Sequence, residues 1–147
     1  MKAQGTVEYM ALISSIITFS IIVITIMLNY IDSGRDAMIQ ESQDYWAIQV
    51  PISIIEWRQT ETGVMYLIMK NKGLEEIVFY NISLDNYTLG TTQHIPMNSV
   101  FIINGTVGEC IQGEMIEYTT VRIRYKPKGS NRVLENVKVH PIRVICS

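Results

Sequence analysis

Few residues in this chain have the type and spacing that chemistry requires. His94 and His140 are the only histidines, and neither lies in a ligand-like motif. There is no G-x-S-x-G, no Gly-rich phosphate loop, no H-E-x-x-H and no C-x-x-C. Those patterns bring a nucleophile to its base, a phosphate to backbone donors, or ligands to a metal. Without them the expectation is a protein that is not an enzyme, with no catalytic, cofactor-binding or metal-binding residues. Glu75-Glu76 follow a turn and read as a solvated pair. The basic stretch Arg122 to Arg132 includes an aromatic residue, as a nucleic-acid surface would. Strand alternation, however, puts Arg122, Arg124 and Lys126 on one side and Tyr125 on the other. Tyr125 then belongs to a core rather than to a stacking platform, so no nucleic-acid partner is expected.

The remaining candidates point to export and to assembly. Cys110 and Cys146 are the only cysteines. In an exported domain they predict a disulfide closing a loop of about 37 residues, worth about 4 kcal/mol in the chain-entropy model. Three Asn-X-Ser/Thr sequons, at Asn81, Asn86 and Asn104, are N-glycosylation acceptors in that same context. Glu8 lies just before a long apolar run, with Gln4 four residues ahead of it. A carboxylate entering an apolar bundle needs a cationic partner. Cleavage before Gln4 would create one, a free α-amino group. The helix dipole also favours an acid in a first turn.

These candidates hang on a chain of 147 residues, enough for one domain plus one extra element. Met10 to Leu28 is a run of 19 residues without a charge. As a helix rising about 1.5 Å per residue it reaches roughly 28 Å, close to the roughly 30 Å hydrocarbon core of a bilayer. It is too long for the apolar part of an ordinary secretory signal, and no A-x-A-like site follows it. The segment is therefore expected to stay in the mature protein. Lys2 before it, against Asp32 and Asp36 after it, favours an inside N-terminus. Ala11, Ser14, Thr18 and Thr25 share one helical face, a stripe of small and hydroxyl residues that lets helices pack closely.

Ser33-Gly34 is an expected kink. The helical pattern resumes from Arg35 to Ile48, with Met38, Ser42, Tyr45 and Trp46 on one side. Val50-Pro51 ends it. From Ile52 the signals are β. Strands are predicted at 52–57, 64–69, 77–84, 87–89, 100–103, 115–126, 133–139 and 142–146. Asn71-Lys72-Gly73 and Asn104-Gly105 read as hairpin turns. The expected fold is α+β: a long N-terminal hydrophobic helix followed by a small antiparallel β-sandwich or barrel head. Seven of the twelve basic residues fall between Arg122 and Arg143, while most acids precede them; the expectation is solvated strand faces, the alternative an electrically polarised head.

Lys2-Ala3-Gln4-Gly5-Thr6-Val7-Glu8-Tyr9 followed by an apolar helix resembles the class III signal sequence of archaeal type IV pilins. That family's pattern is a basic residue, a small residue, then Gln-x-Ser-x-Glu. Gln4 and Glu8 match, and Thr6 replaces the usual Ser. The resemblance covers about the first thirty residues. It implies cleavage by a membrane prepilin peptidase between Ala3 and Gln4. It also implies assembly through the new N-terminus at Gln4 and through Glu8 of a neighbouring copy. The implied organisation is a signal peptide at 1–3, a helix at 4–48 and an extracellular head at 49–147. The helix would wait in the membrane and then form the core of an adhesive surface filament, a homopolymer built with its assembly machinery. The competing expectations are a single-span membrane protein with an extracellular binding domain that never polymerises, and an anchored enzyme.

Overall fold

A computed structural model describes residues 2–147, with side chains described from Gly5 onward. Helix α1, Lys2–Ala47, is followed by antiparallel β-sheets, an α+β fold. The chain divides into two compact units between Ala37 and Met38. The last turns of α1 therefore belong to the head, which starts about one helical segment earlier than position 49. The reason is packing: Ser42 and Trp46 are buried, and Tyr45 lies against the core. Met38, expected on the same side, stays exposed.

No proline interrupts α1, and its helical span runs through Ser33 and Gly34, where a kink was expected. Ser33 Oγ donates to the Asn29 carbonyl 2.9 Å away. The helix stops before Pro51. Its final carbonyls find partners: Gln49 Nε2 donates to Tyr45 O at 3.0 Å, and the Lys72 ammonium donates to Ala47 O. A cation at a helix C-terminus is also favoured by the macrodipole.

The head contains ten strands. They are β1 (Ile52–Gln59), β2 (Val64–Asn71), β3 (Ile77–Leu84), β4 (Tyr87–Leu89), β5 (Gln93–Ile95), β6 (Val100–Thr106), β7 (Met115–Tyr118), β8 (Val121–Pro127), β9 (Leu134–Lys138) and β10 (Ile142–Ile145). One sheet has the order β1-β2-β6 and another β4-β3-β8-β9, with β5 also on β3; β7 and β10 form a two-stranded ribbon. All strand pairs are antiparallel. Period-2 alternation turns Met65, Leu67 and Met69 inward from β2, and Val121, Ile123 and Tyr125 inward from β8. Both sheets share one core. Phe79 of β3 meets Phe101 of β6 with ring centroids 5.3 Å apart. The sandwich is thus the expected alternative that the fold adopts.

Two predicted hairpins are corrected. Asn71-Lys72-Gly73 does not join paired strands, because β2 and β3 lie in different sheets. It is a crossover held by the buried Asn71 side chain. Asn71 Nδ2 donates to the carbonyls of Glu75, Ile95 and Pro96, and Oδ1 accepts from Gly73 N. Asn104-Gly105 is no turn either, since β6 runs straight through it beside β2. Gly105 serves close packing: a Cβ there would lie 2.5 Å from Leu89 Cδ2. The real hairpins are Thr60–Gly63, with Gly63 at φ 78°, Asp85-Asn86 between β3 and β4, and the loop 128–133 between β8 and β9. The predicted strand 115–126 is two strands on different partners, β7 and β8, and β5 was missed.

Gly105→Ala should therefore destabilise the head by about 1–3 kcal/mol through overpacking. Asn104→Ala should stay within about 0.5 kcal/mol. Urea unfolding of the two variants checks the ranking, and equal losses would restore a turn role for the pair.

Candidate functional site

The largest unusual surface is that of α1. From Val7 to Ile31 its large apolar side chains, Ile13 and Val23 apart, are between 51% and 80% exposed. The helix is long and apolar enough to cross a membrane. Four of its hydroxyls are satisfied within the helix. Ser15 donates to Ala11 O, Thr18 to Ser14 O, Ser20 to Ile16 O and Thr25 to Ile21 O, all at 2.8–2.9 Å. Such back-bonding removes the cost of placing a hydroxyl in an apolar phase. Ala11, Ser14, Thr18 and Thr25 are all exposed, so the small-residue stripe is open for contact. Glu8 is exposed as well. The side chains of Ala3 and Gln4, the predicted cleavage and assembly positions, lie outside the described residues.

Within the head, the last turns of α1 are tied down by side chains from distant strands. Ser42 Oγ donates to Pro141 O at 2.7 Å. Arg143 of β10 donates from Nε to Glu117 Oε2 at 2.7 Å and reaches Met38 O at 3.5 Å. Its Nη1 lies 3.9 Å from Glu41 Oε2. The Tyr45 ring stacks on His140 with centroids 3.8 Å apart. Ser42, Tyr45 and Trp46 were legible as one side of a helix. Arg143 and Glu117 were not, because their pairing depends on strand register.

The C-terminal end of the chain is knotted around Gln59, a fully buried residue that sequence reasoning missed. Cys110 and Cys146 form the expected disulfide. Cys146 pairs with Gln59 across a parallel bridge, and Ser147 N donates to Gln59 O at 3.0 Å. Gln59 Nε2 donates to Gly108 O at 2.9 Å, and Gln59 Oε1 accepts from Tyr118 at 2.7 Å. Burial pushes the Tyr118 phenol up to about 12. A buried strand glutamine leaves no local pattern to read.

The two histidines have separate partners, Glu76 for His94 and the Tyr45 ring for His140. His94 is exposed, with Nδ1 3.2 Å from Glu76 Oε1. Glu76 also accepts from Lys128 Nζ at 3.1 Å. The Lys128 bond, then the His94 bond, hold the Glu76 carboxyl below its usual range. Glu76 is thus paired rather than merely solvated. Among the described residues no group of three His, Cys, Asp or Glu is placed to hold a metal. Tyr125 is buried while Arg122 and Arg124 are exposed, as alternation required. Of the sequon residues, Asn86 and Asn104 are exposed and Asn81 is half-buried. Comparison with protein-family models, with curated proteins and with solved structures returned no match.

Two outcomes follow for this end of the head. Reducing the disulfide should cost about 4 kcal/mol of stability, read as a fall in urea midpoint. Tyr118 keeps its proton in the folded state between pH 10 and about 12, where an unfolded phenol ionises. Its stabilisation is therefore complete below pH 10 and lost as pH rises through that window. Tyr118→Phe should flatten the loss; an unchanged alkaline slope would assign it to another group.

Proposed function

We propose that this chain is a structural, non-enzymatic subunit of the type IV pilin kind, which polymerises through its N-terminal helix into an extracellular adhesive filament. One observation carries this reading: an exposed apolar helical surface of membrane-span length, on which the hydroxyls of Ser15, Thr18, Ser20 and Thr25 are bonded within the helix. That surface needs lipid or other helices around it, and its composition suits both in turn. The motif Gln4-x-Thr6-x-Glu8 ahead of it adds a processing site and an acid for register. The disulfide and the exposed sequon residues Asn86 and Asn104 accord with a head outside the cell.

Before assembly, the helix anchors the subunit in the membrane. A prepilin peptidase removes residues 1–3, and the α-amino group of Gln4 pairs with Glu8 of a neighbouring copy. Moving helices from lipid into a helical bundle gains little hydrophobic energy. Packing of the Ala11, Ser14, Thr18 and Thr25 stripe and pairing of Glu8 therefore choose the register. Repeated head-to-tail contacts that do not close give a helical filament.

Intact mass of the native protein should show loss of Met1 to Ala3, and retention would sink the processing step. Glu8→Ala should abolish filaments in electron micrographs of the cell surface while leaving the head's thermal transition unchanged. Cleaved subunits that never appear in filaments, even with Glu8 intact, would favour a single-span surface protein instead.

A further inference from the structure

The outer face of the β4-β3-β8-β9 sheet carries a polar cavity of about 350 Å³. Its construction follows from register. Arg122 of β8 lies across from Ser83 of β3, and Arg124 lies across from Asn81. A bulge between Phe79 and Asn81 leaves Tyr80 unpaired, so Tyr80 and Asn81, though adjacent, both turn away from the core that Phe79 and Ile82 enter. The other flank sets Val137 beside Arg122 and Glu135 beside Arg124. Asn86 and Thr88 close the remaining rim.

The charges in this cavity are not balanced by contact. Two carboxylates line it with the two arginines: Asp85, which already accepts from Thr119 N, Thr119 Oγ1 and Thr120 N at 2.8–3.3 Å, and Glu135, which stands across from Arg124 without an ion pair among the described residues. Neither Arg122 nor Arg124 makes an ion pair or hydrogen bond among the described residues. Their two guanidinium forks project from alternate positions of one strand, with Cα atoms about 7 Å apart. The Asn81 Oδ1 is buried and without a partner. No aromatic ring lines the site, so it offers no platform for a base. Guanidinium forks take planar carboxylates or sulfates in paired hydrogen bonds. The Ser83 and Thr88 hydroxyls and the Asn86 amide suit the hydroxyls of a sugar ring. The volume lies at the lower end of small-ligand sites, roughly 300–1,000 Å³.

We propose that this cavity binds an acidic saccharide, a hydroxyl-rich ring bearing a carboxylate or sulfate, with Arg122 and Arg124 holding the anionic group. The inference rests on the extracellular, adhesive half of the function proposed above and not on polymerisation. The same chemistry has two sources: a polysaccharide of another surface, or an acidic glycan attached at a sequon such as Asn86 on the cavity's own rim.

The test uses the full, unassembled chain in detergent micelles, made without N-glycosylation, and titrates it with a uronic-acid oligosaccharide. A neutral glucose oligosaccharide of equal length is the control. Binding of the uronate alone is expected, weakened roughly tenfold or more by combined Arg122→Gln and Arg124→Gln. Lys128→Gln with Arg132→Gln, on basic residues outside the cavity, should change it by about twofold at most. Arg122→Lys with Arg124→Lys keeps the charge and removes the forks, so it should show an intermediate loss even if the Gln pair fails to fold. No uronate binding, equal binding of the neutral sugar, or equal loss in both pairs of Gln variants would overturn the proposal. A glycosylated native chain that no longer takes up the uronate identifies the attached glycan as occupant, and unchanged uptake identifies an external one. Because the assay needs no filament, a chain that fails to polymerise still answers it.

Discussion

The apolar surface of α1 between Val7 and Ile31 is the constraint around which the rest of the molecule is arranged. Roughly fifteen large apolar side chains there cannot stay in water, at about 25 cal/mol for each Å² left exposed. Any environment that accepts them is itself apolar and offers no hydrogen bonds. The backbone must therefore satisfy itself, as one uninterrupted helix does, and the hydroxyls must do the same. Ser15, Thr18, Ser20 and Thr25 meet that demand by bonding to the preceding turn. Two of them, Thr18 and Thr25, lie on the exposed small-residue stripe with Ala11 and Ser14, a face open to close helix packing.

The head faces the opposite problem. It must begin on the same helix and remain folded in water. The last turns of α1 are drawn into its core by Trp46 and Ser42, and Arg143 binds the helix from the far end of the sequence. Two buried amides then hold the joints that strands alone would leave loose. Asn71 satisfies the carbonyls of the crossover between sheets, and Gln59 gathers β1, β7, the Gly108 loop and the C-terminal residues. Burying an amide is costly unless its groups are bonded, and both of these side chains are. The disulfide closes the same region covalently.

On the outer surface of the β3-β8 pair, core packing and polar presentation come from one alternation. Val121, Ile123 and Tyr125 fill the core while Arg122 and Arg124, between them, stay outside. The same alternation that stabilises the sheet presents two guanidinium groups beside Asn81 and Ser83. Neither makes an ion pair among the described residues, although Glu135 lies across from Arg124.

By itself the sequence determined the apolar helix, the β-rich character of the head, most strand positions and the alternation of β8, because each depends on neighbours within a few residues. It also limited the disulfide to a single pairing, since only two cysteines exist. Strand partners were decided only by the tertiary structure. Asn71-Lys72-Gly73 and Asn104-Gly105 carry turn-type residues, yet one is a crossover and the other lies within a strand. The local preference of Asn and Gly for turns is worth less than the core packing that assigns β2 and β3 to different sheets. Close packing of Leu89 gives Gly105 its role, and no window of sequence contains both residues as neighbours. The same holds for the boundary at Ala37, the Gln59 knot and the Arg122–Arg124 cavity. Each joins residues that only register and packing bring together, so their chemistry became visible only once the chain was folded.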